Sequence, residues 1–343
     1  MFERTPYILS FCELRNYCSN NAEFLLKSDG NCKHCLVHSN CLSDNRNEKI
    51  HSILSMEQKE SRFPSLLNAI QKHPGTLDYI PAWIYEKAYG KYHNASPCPF
   101  NAKLIINNLD QIKAAYDMLS DAYSRMVYLN VIMYRLTINP EYILRAYSQD
   151  PQYFIQGYRG LGKNEVFVDC GAFIGDSFQK YCYYNSPPRC AYLFEPDLRN
   201  IEKISLLLKN MNLDTKVELI KKGVFSQTGN MYFQQDLSGE GSRLTNTPSK
   251  SDISIEVTSI DDSIDDEVTF IKMDIEGSEM AAVEGAKMHI AGSYPKLAIC
   301  LYHKISDLWE IPLKIHQLFP QYNNYVLRHH RKISSETVIY VYR

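Results

Sequence analysis

The segment Val166-Phe-Val-Asp169-Cys-Gly171-Ala172-Phe-Ile-Gly175-Asp176-Ser177 decides the fold, because a short apolar run leads through glycines into a polar helix start. Apolar runs without alternation are typical of strands that helices cover on both faces of a parallel sheet. Ligands bind to such sheets where strands end and the strand order reverses. The segment therefore predicts a ligand-binding strand, turn and helix.

Further apolar runs follow this segment, separated by stretches with helical spacing. The predicted strands are Val166–Cys170, Ala191–Phe194, Val217–Ile220, Thr269–Met273, Leu297–Leu301, Tyr325–Arg328 and Thr337–Tyr342. Alternating strands and helices predict an α/β domain with a doubly wound, Rossmann-like, seven-stranded and largely parallel sheet. Between Gly229 and Asp262 the polar sequence instead predicts a β-hairpin or loop inserted beside the sheet.

The turn after the first strand does not suit a phosphate. A nicotinamide fingerprint beginning at Gly171 requires glycine where this chain has Phe173 and Asp176. Asp176 at the helix start would repel a pyrophosphate. Carboxylates at Asp169 and Asp176 favour a ligand that carries an ammonium and a sulfonium. The alternative is purely structural, with an N-capping aspartate beside a turn glycine.

A second acidic position follows the next predicted strand, in Phe194-Glu195-Pro196-Asp197. Glu195 lies twenty residues beyond Gly175, where a carboxylate can accept both ribose hydroxyls of a bound nucleoside. A Glu-Pro pair is by itself also typical of a strand-ending turn. The spacing makes the two segments support each other.

A third segment is Phe270-Ile-Lys272-Met-Asp274-Ile-Glu276-Gly277-Ser-Glu279. Alternation along a strand end places Lys272, Asp274 and Glu276 on one side, at the edge where ligands bind. Three charges there are difficult to explain by packing, although a solvated cap at a helix start is the alternative.

In these three segments, and in Glu284-Gly285-Ala286 and Leu301-Tyr-His303, residues 160–343 resemble the FkbM family of class I S-adenosylmethionine-dependent methyltransferases. The resemblance implies methyl transfer to a hydroxyl oxygen of a sugar, glycan or secondary metabolite. It implies a cofactor site at Asp169, Gly171, Ala172, Phe173, Gly175, Asp176, Glu195, Pro196 and Asp274. Family members often carry Asn where this chain has Phe173.

His303 follows a predicted strand and should face the same edge as Asp274 and Glu276, which makes it the first candidate general base. A packed histidine at a strand end is the alternative. Asp274 and Glu276 could orient the reactants or hold a hard divalent cation. His329 ends a later strand and is a weaker candidate.

The N-terminal segment is rich in cysteine, with Cys12, Cys18, Cys32, Cys35 and Cys41 within thirty residues. The spacing Cys-x2-Cys-x5-Cys resembles the auxiliary iron–sulfur segments of SPASM-type proteins, and four thiolates suit zinc equally. Unbridged thiols are the alternative. A thiolate-bound metal is expected here.

Three regions are therefore predicted: a cysteine-rich segment at 1–60, a mainly helical region at 61–159 and the methyltransferase-like domain at 160–343. In the helical region a stripe from Leu109 continues through Met133, which predicts a long helix ending near Asn139-Pro140.

The charge and hydropathy of the chain limit the classes of partner that are expected. Lysine and arginine number 37 against 39 acidic residues, so the chain has no net positive charge that would attract nucleic acid. No apolar run is long enough to span a membrane, so a cytoplasmic enzyme with a small-molecule or carbohydrate acceptor is expected. Two rivals are a non-catalytic nucleoside-binding or scaffold protein and a nicotinamide-dependent oxidoreductase, which Phe173 and Asp176 disfavour.

Overall fold

The computed structural model describes residues 102–137, 140–234, 243–245, 253–333 and 335–343 of the 343-residue chain. These residues fall in two compact units. One contains residues 102–117 and 126–146, and the other contains residues 118–125 and 147–343.

The first unit is helical in its described part. Its helices are α1 (Ala102–Asn107), α2 (Leu109–Met118), most of α3 (Ala122–Thr137) and α4 (Pro140–Ala146). The prediction of one continuous helix from Leu109 is wrong, because the chain leaves the helix between Met118 and Ala122. The carboxylate of Asp121 accepts the backbone N–H of Ser124 at 2.6 Å and so caps a new helix.

The second unit begins its main sheet with three parallel strands. These are β1 (Val166–Cys170), β2 (Cys190–Phe194) and β3 (Lys216–Ile220). Helices α5 (Asp176–Tyr184) and α6 (Leu198–Met211) connect them. All five residues of β1 and of β2 are buried, as the unbroken apolar runs predict.

The predicted hairpin insertion is a small separate sheet. Strands β4 (Gly223–Val224), β5 (Gly229–Gln234), β6 (Arg243–Thr245) and β7 (Ile253–Thr258) pair in the order β4-β7-β5-β6. Residues Gly239 to Ser242 of the predicted loop lie outside the described residues.

Four more strands complete the main sheet. After α7 (Ile260–Ser263), strands β8 (Phe270–Met273), β9 (Lys296–Cys300), β10 (Asn324–His329) and β11 (Thr337–Tyr342) complete the order β10-β11-β9-β8-β1-β2-β3. Strand β11 pairs antiparallel with β10 and with β9, and the other pairings of this sheet are parallel. Helices α8 (Glu279–Glu284), α9 (Lys287–Ser293) and α10 (Asp307–Leu318) lie between them in the chain. The doubly wound seven-stranded fold is confirmed, with each strand bound within one residue of its prediction.

An aromatic cluster packs beneath the central strands. The ring of Phe270 on β8 makes edge contacts with Phe154, Tyr158, Phe167 and Tyr181 at centroid distances of 5.3–6.2 Å. All five side chains are fully buried. This packing fixes β1 and β8 side by side, and their carboxyl ends carry the candidate site.

Among the helices of the described ranges, none has the length and apolar character that crossing a bilayer requires.

Candidate active site at the carboxyl ends of the strands

The turn after β1 packs against the end of β8. Gly171 has φ of +80°, and a Cβ built on it would lie 2.0 Å from the carbonyl oxygen of Asp274. The N–H of Asp274 donates to the carbonyl of Cys170 at 3.1 Å, which locks the two chain segments together. Only glycine fits at position 171, because a side chain would push the two strand ends apart.

The rest of the turn is held by β2. The N–H groups of Gly171 and Ala172 both donate to the carbonyl of Phe194, at 3.1 and 2.9 Å. Phe173 and Gly175 have φ of +50° and +85°. Asparagine tolerates a left-handed conformation better than phenylalanine does. Phe173 is therefore less suited to this turn than the Asn that members of the resembled family often carry there.

Glu195 at the end of β2 closes this turn. Its Oε2 accepts the N–H of Phe173 at 2.8 Å, and its Oε1 accepts the N–H of Asp197 at 2.9 Å, across Pro196. The residue is 6% exposed, and this burial raises the pKa of the carboxyl to about 7. Oε2 keeps a lone pair for a further donor, such as a sugar hydroxyl, and Oε1 can exchange its long contact of 3.4 Å with the Asn200 amide for a second one.

Asp169 is enclosed rather than open to a ligand. It has no exposed surface, and its Oδ1 lies 2.9 Å from the ammonium of Lys272, while the Ser177 hydroxyl donates to its other oxygen. Lys272 also donates to the carbonyl of Gly171 at 2.7 Å. The Asp169–Lys272 pair therefore supports the turn. The Asp169 side chain itself has no exposed surface with which to contact a ligand.

The remaining predicted cofactor residues differ in exposure. Asp176 in the first turn of α5 is exposed and pairs with Lys180 at 2.8 Å, whereas Ala172 is buried. His329, the weaker base candidate, is fully buried, with Nδ1 2.8 Å from the Thr337 hydroxyl and Nε2 2.9 Å from a backbone carbonyl. Its contacts hold the end of the β10–β11 pair.

Asp274 is bracketed by two tyrosines. The hydroxyl of Tyr153 donates to Oδ2 at 2.7 Å, and that of Tyr302 donates to Oδ1 at 2.9 Å. Burial would raise the pKa of Asp274, but the charges of His303 and Lys272 outweigh it and hold that pKa below its usual range. The carboxylate is thus ionised and fixed in position.

His303 lies among three carboxylates. Its Nε2 is 3.4 Å from Asp274 Oδ1 and 3.4 Å from Glu276 Oε2, while its Nδ1 is 2.8 Å from Glu279 Oε1. The chain brings Glu276 to the ring through a turn in which Glu276 and Gly277 have φ of +54° and +95°. The three residues predicted as catalytic do meet in the structure.

The charge state of His303 differs from that of a resting base. Burial lowers the pKa of the ring, but Glu279 and then Glu276 and Asp274 raise it further, so the pKa lies well above its usual value. Burial raises the pKa of Glu276, and the nearby histidine only partly offsets this. This direction favours the protonated ring over the neutral one, so that a carboxylate is the better proton acceptor.

Two more buried acids surround this cluster. Burial and the charge of Glu279 raise the pKa of Asp307 to about 7, and burial and the charge of Asp274 raise the pKa of Glu336 to about 7. The site thus concentrates acidic groups, and a cationic ligand would favour their ionised forms.

Sequence reasoning missed several members of the site. Tyr153 lies 121 residues before Asp274, and no local pattern connects them. Glu279 was part of the quoted motif, but its contact with His303 depends on how α8 begins. Cys12, Cys18, Cys32, Cys35 and Cys41, predicted to bind a metal, lie outside the described residues.

Comparison with known proteins finds similarity to one methyltransferase family in the part of the chain that carries this site. Residues 169–327 match the Methyltransferase FkbM domain. Among solved structures, the chain is similar to the methyltransferase FkbM from Methylobacillus flagellatus, at 31% identity and a TM-score of 0.60 over 70% of this chain. The chain spans 60% of the length of that protein.

A more distant match is an rRNA methylase from Streptococcus thermophilus, at 12% identity and a TM-score of 0.34, covering 60% of this chain and 93% of that one. No curated protein matches the chain.

Proposed function

We propose that the chain transfers a methyl group from S-adenosylmethionine to a hydroxyl oxygen of a sugar, glycan or secondary metabolite, because residues 169–327 match the Methyltransferase FkbM domain. The donor, when bound, supplies a methyl group on a positively charged sulfur, so that the acceptor oxygen gains the methyl as the carbon–sulfur bond breaks and a neutral thioether is left. The protein must bind both reactants, orient the hydroxyl and remove its proton.

The donor-binding residues fit a cationic ligand without phosphate. Glu195 offers its remaining lone pairs to the ribose hydroxyls, and the 171–175 turn, braced by Lys272 and Asp169, supports the amino-acid part. The ionised Asp274 lies against the same turn and adds a negative charge close to it. The acidic environment favours a sulfonium and an ammonium.

The acceptor side is the cluster of Asp274, Glu276 and His303. One observation carries this assignment: side chains that follow β8 and β9 converge within 4.8 Å, directly beside the turn that holds the donor. The imidazolium of His303 can donate a hydrogen bond to the hydroxyl oxygen and orient it. The carboxylate of Glu276, with its raised pKa, can accept the proton that leaves.

Labelled methyl transfer tests the proposal. The full chain is incubated with S-adenosylmethionine carrying a tritiated methyl group and with separated small-molecule and polysaccharide fractions. We expect the label to enter a product as an ether that resists mild base. Binding of the donor without labelling of any fraction would favour the rival nucleoside-binding role and contradict the enzyme.

Matched variants locate the chemistry. Glu195→Gln should weaken the donor, whereas Glu276→Gln should lower turnover at saturating donor by roughly 10²- to 10⁴-fold, the usual contribution of a positioned base. Glu267→Gln, at an exposed position before the amino end of β8 and so at the opposite edge of the sheet, is the control and should change neither. Equal turnover in the parent and in Glu276→Gln would remove Glu276 from the reaction.

The finer assignments extend beyond the described residues. A thiolate-bound iron–sulfur cluster or zinc ion in residues 1–60 and a cytoplasmic location stay predictions. Metal analysis of anaerobically purified full chain, with its ultraviolet-visible spectrum, tests the first of these.

A further inference from the structure

We propose that Asp274, Glu276 and His303 form a binding site for one divalent cation of the Mn²⁺ or Mg²⁺ type, with Glu279 as the carboxylate that orients the histidine. The binding of the ion does not depend on methyl transfer. When the ion is bound, it replaces the proton on Nε2, so that the ion takes over from the imidazolium in orienting the acceptor hydroxyl; that role rests on the proposed function.

The spacing of the three ligand atoms fits one ion. One oxygen from each carboxylate and the Nε2 of His303 lie within 4.8 Å of one another, and Nε2 is 3.4 Å from either oxygen. Two ligands that each bind one ion at about 2.1 Å are separated by roughly 3.0–3.5 Å at tetrahedral or octahedral angles. The two separations from Nε2 therefore fall in the range that one ion requires.

The orientation of His303 is the independent observation. Its side chain is 6% exposed, and neither ring nitrogen makes a well-aligned hydrogen bond among the described residues. Its Nδ1 faces Glu279, which has no exposed surface and also accepts the N–H of Ile275 at 2.9 Å. A carboxylate behind one ring nitrogen is the usual arrangement of a metal-binding histidine, because it directs the lone pair of the other nitrogen at the ion.

The Nε2 of His303 faces two carboxylate oxygens at 3.4 Å each. If the proton of a neutral ring is on Nδ1, the atom 2.8 Å from Glu279 Oε1, Nε2 points a lone pair at these two oxygens, which is unfavourable unless a positive group lies between them. A proton on Nε2 would balance the charge of one of the two carboxylates, and a divalent cation would balance the charges of both. Lys272 cannot do so, since its ammonium is 2.9 Å from Asp169 and donates to the Gly171 carbonyl.

The second ligands are also held in place. The hydroxyl of Tyr153 donates to the Asp274 oxygen that faces away from His303, and Tyr302 donates to the other. Two carboxylate oxygens and one imidazole suit Mn²⁺ well, and three protein ligands leave coordination positions open. An acceptor hydroxyl bound at an open position would lose its proton more readily.

Manganese titration of the full chain tests the site, because Mn²⁺ is a poor partner for the thiolates of the cysteine-rich segment. Metal-stripped protein is titrated with Mn²⁺, and free Mn²⁺ is followed by electron paramagnetic resonance. We expect one site whose affinity falls by at least about 10- to 100-fold in Glu276→Gln and in His303→Gln, since outer-shell losses alone reach that range. Electron spin echo modulation from a bound nitrogen should be present in the parent and absent in His303→Gln.

Controls separate this result from failed folding and from failure of the proposed function. Glu336→Gln removes a neighbouring buried acid that is not a ligand and should bind Mn²⁺ as the parent does. S-adenosylhomocysteine binding by each variant reports an intact domain without requiring turnover. Three results would each overturn the metal site: no Mn²⁺ binding by the parent, no nitrogen modulation in the parent, or an affinity in both ligand variants equal to that of the parent. Any of them would show that only a proton lies there, whether or not methyl transfer occurs.

Discussion

Replacing Gly171 by alanine should break the contact on which the site is built. Its φ of +80° costs an alanine about 1–2 kcal/mol. The new Cβ would also lie 2.0 Å from the Asp274 carbonyl oxygen, about 1.4 Å closer than the 3.4 Å at which ordinary contacts begin. Because the obstacle is backbone, relief requires movement of a strand end, at a further cost of about 1–3 kcal/mol.

Two other glycines isolate these two contributions. Gly160 has φ of +70° with nothing within 4 Å of its Cβ position, so Gly160→Ala should carry only the backbone strain. Gly162 has open space and no left-handed φ, so Gly162→Ala should be neutral or stabilise by up to about 1 kcal/mol. The expected order of stability is Gly162→Ala, then Gly160→Ala, then Gly171→Ala.

Thermal unfolding and donor calorimetry provide the measurements. One kcal/mol shifts the melting temperature of a domain of this size by about 2–4 °C. Gly160→Ala should therefore melt about 2–8 °C below the parent, and Gly171→Ala about 4–20 °C below it. Gly171→Ala should also bind S-adenosylhomocysteine more weakly, while Gly160→Ala should not. Equal melting temperatures for the two variants would show that the close approach of β1 and β8 is not a constraint.

Three more predictions concern the residues around the turn. Glu195→Gln should weaken S-adenosylhomocysteine binding by about 10- to 100-fold at pH 8. Because the pKa of Glu195 is raised to about 7, calorimetry should show an affinity that rises from pH 6 to pH 8 in the parent and does not change with pH in the variant. A parent affinity that does not change with pH would contradict the role of Glu195. Lys272→Met should lower the free energy of unfolding by about 3–5 kcal/mol, because it leaves the buried Asp169 carboxylate without its partner charge. Denaturant titration should show that adding Asp169→Asn to Lys272→Met recovers part of that loss. Phe173→Asn should be more stable than Phe173→Ala by about 1 kcal/mol in the same titration, because asparagine accepts the φ of +50°; the reverse order would mean that the ring contact dominates.

Local patterns were sufficient for the fold. Strands such as Val166–Cys170 were predicted with their observed bounds, because a buried parallel sheet requires unbroken apolar runs. The same reasoning located Asp274 and Glu276, since period-two alternation determines which residues leave a strand end together. The long helix failed because Asp121 offered a cap that the apolar stripe conceals.

The remaining features depend on contacts that are distant in the sequence. Nothing near Asp169 shows that Lys272, 103 residues later, would neutralise it, so a buried structural carboxylate resembled a ligand contact. Tyr153 lies before the first strand and reaches Asp274 only once the sheet has formed. The protonated state of His303 likewise follows from the arrangement of three carboxylates, which no spacing rule provides.

Strand β8 couples the two halves of the site. Its alternation sends Lys272 to Asp169 and to the carbonyl of Gly171, while Asp274, two residues later, presents its carbonyl to Gly171 and its carboxylate to His303. A ligand that displaces the turn must therefore shift the end of β8, and with it the carboxylate that faces the acceptor. Because protein interiors are close-packed and transmit such strain, donor binding can adjust the acid cluster without a hinge or a lid. Affinity for Mn²⁺ should accordingly change when S-adenosylhomocysteine is bound, and linkage requires the reciprocal change in the affinity for S-adenosylhomocysteine to be equal. Equal Mn²⁺ affinity with and without S-adenosylhomocysteine would mean that the turn and the cluster share a strand but act independently.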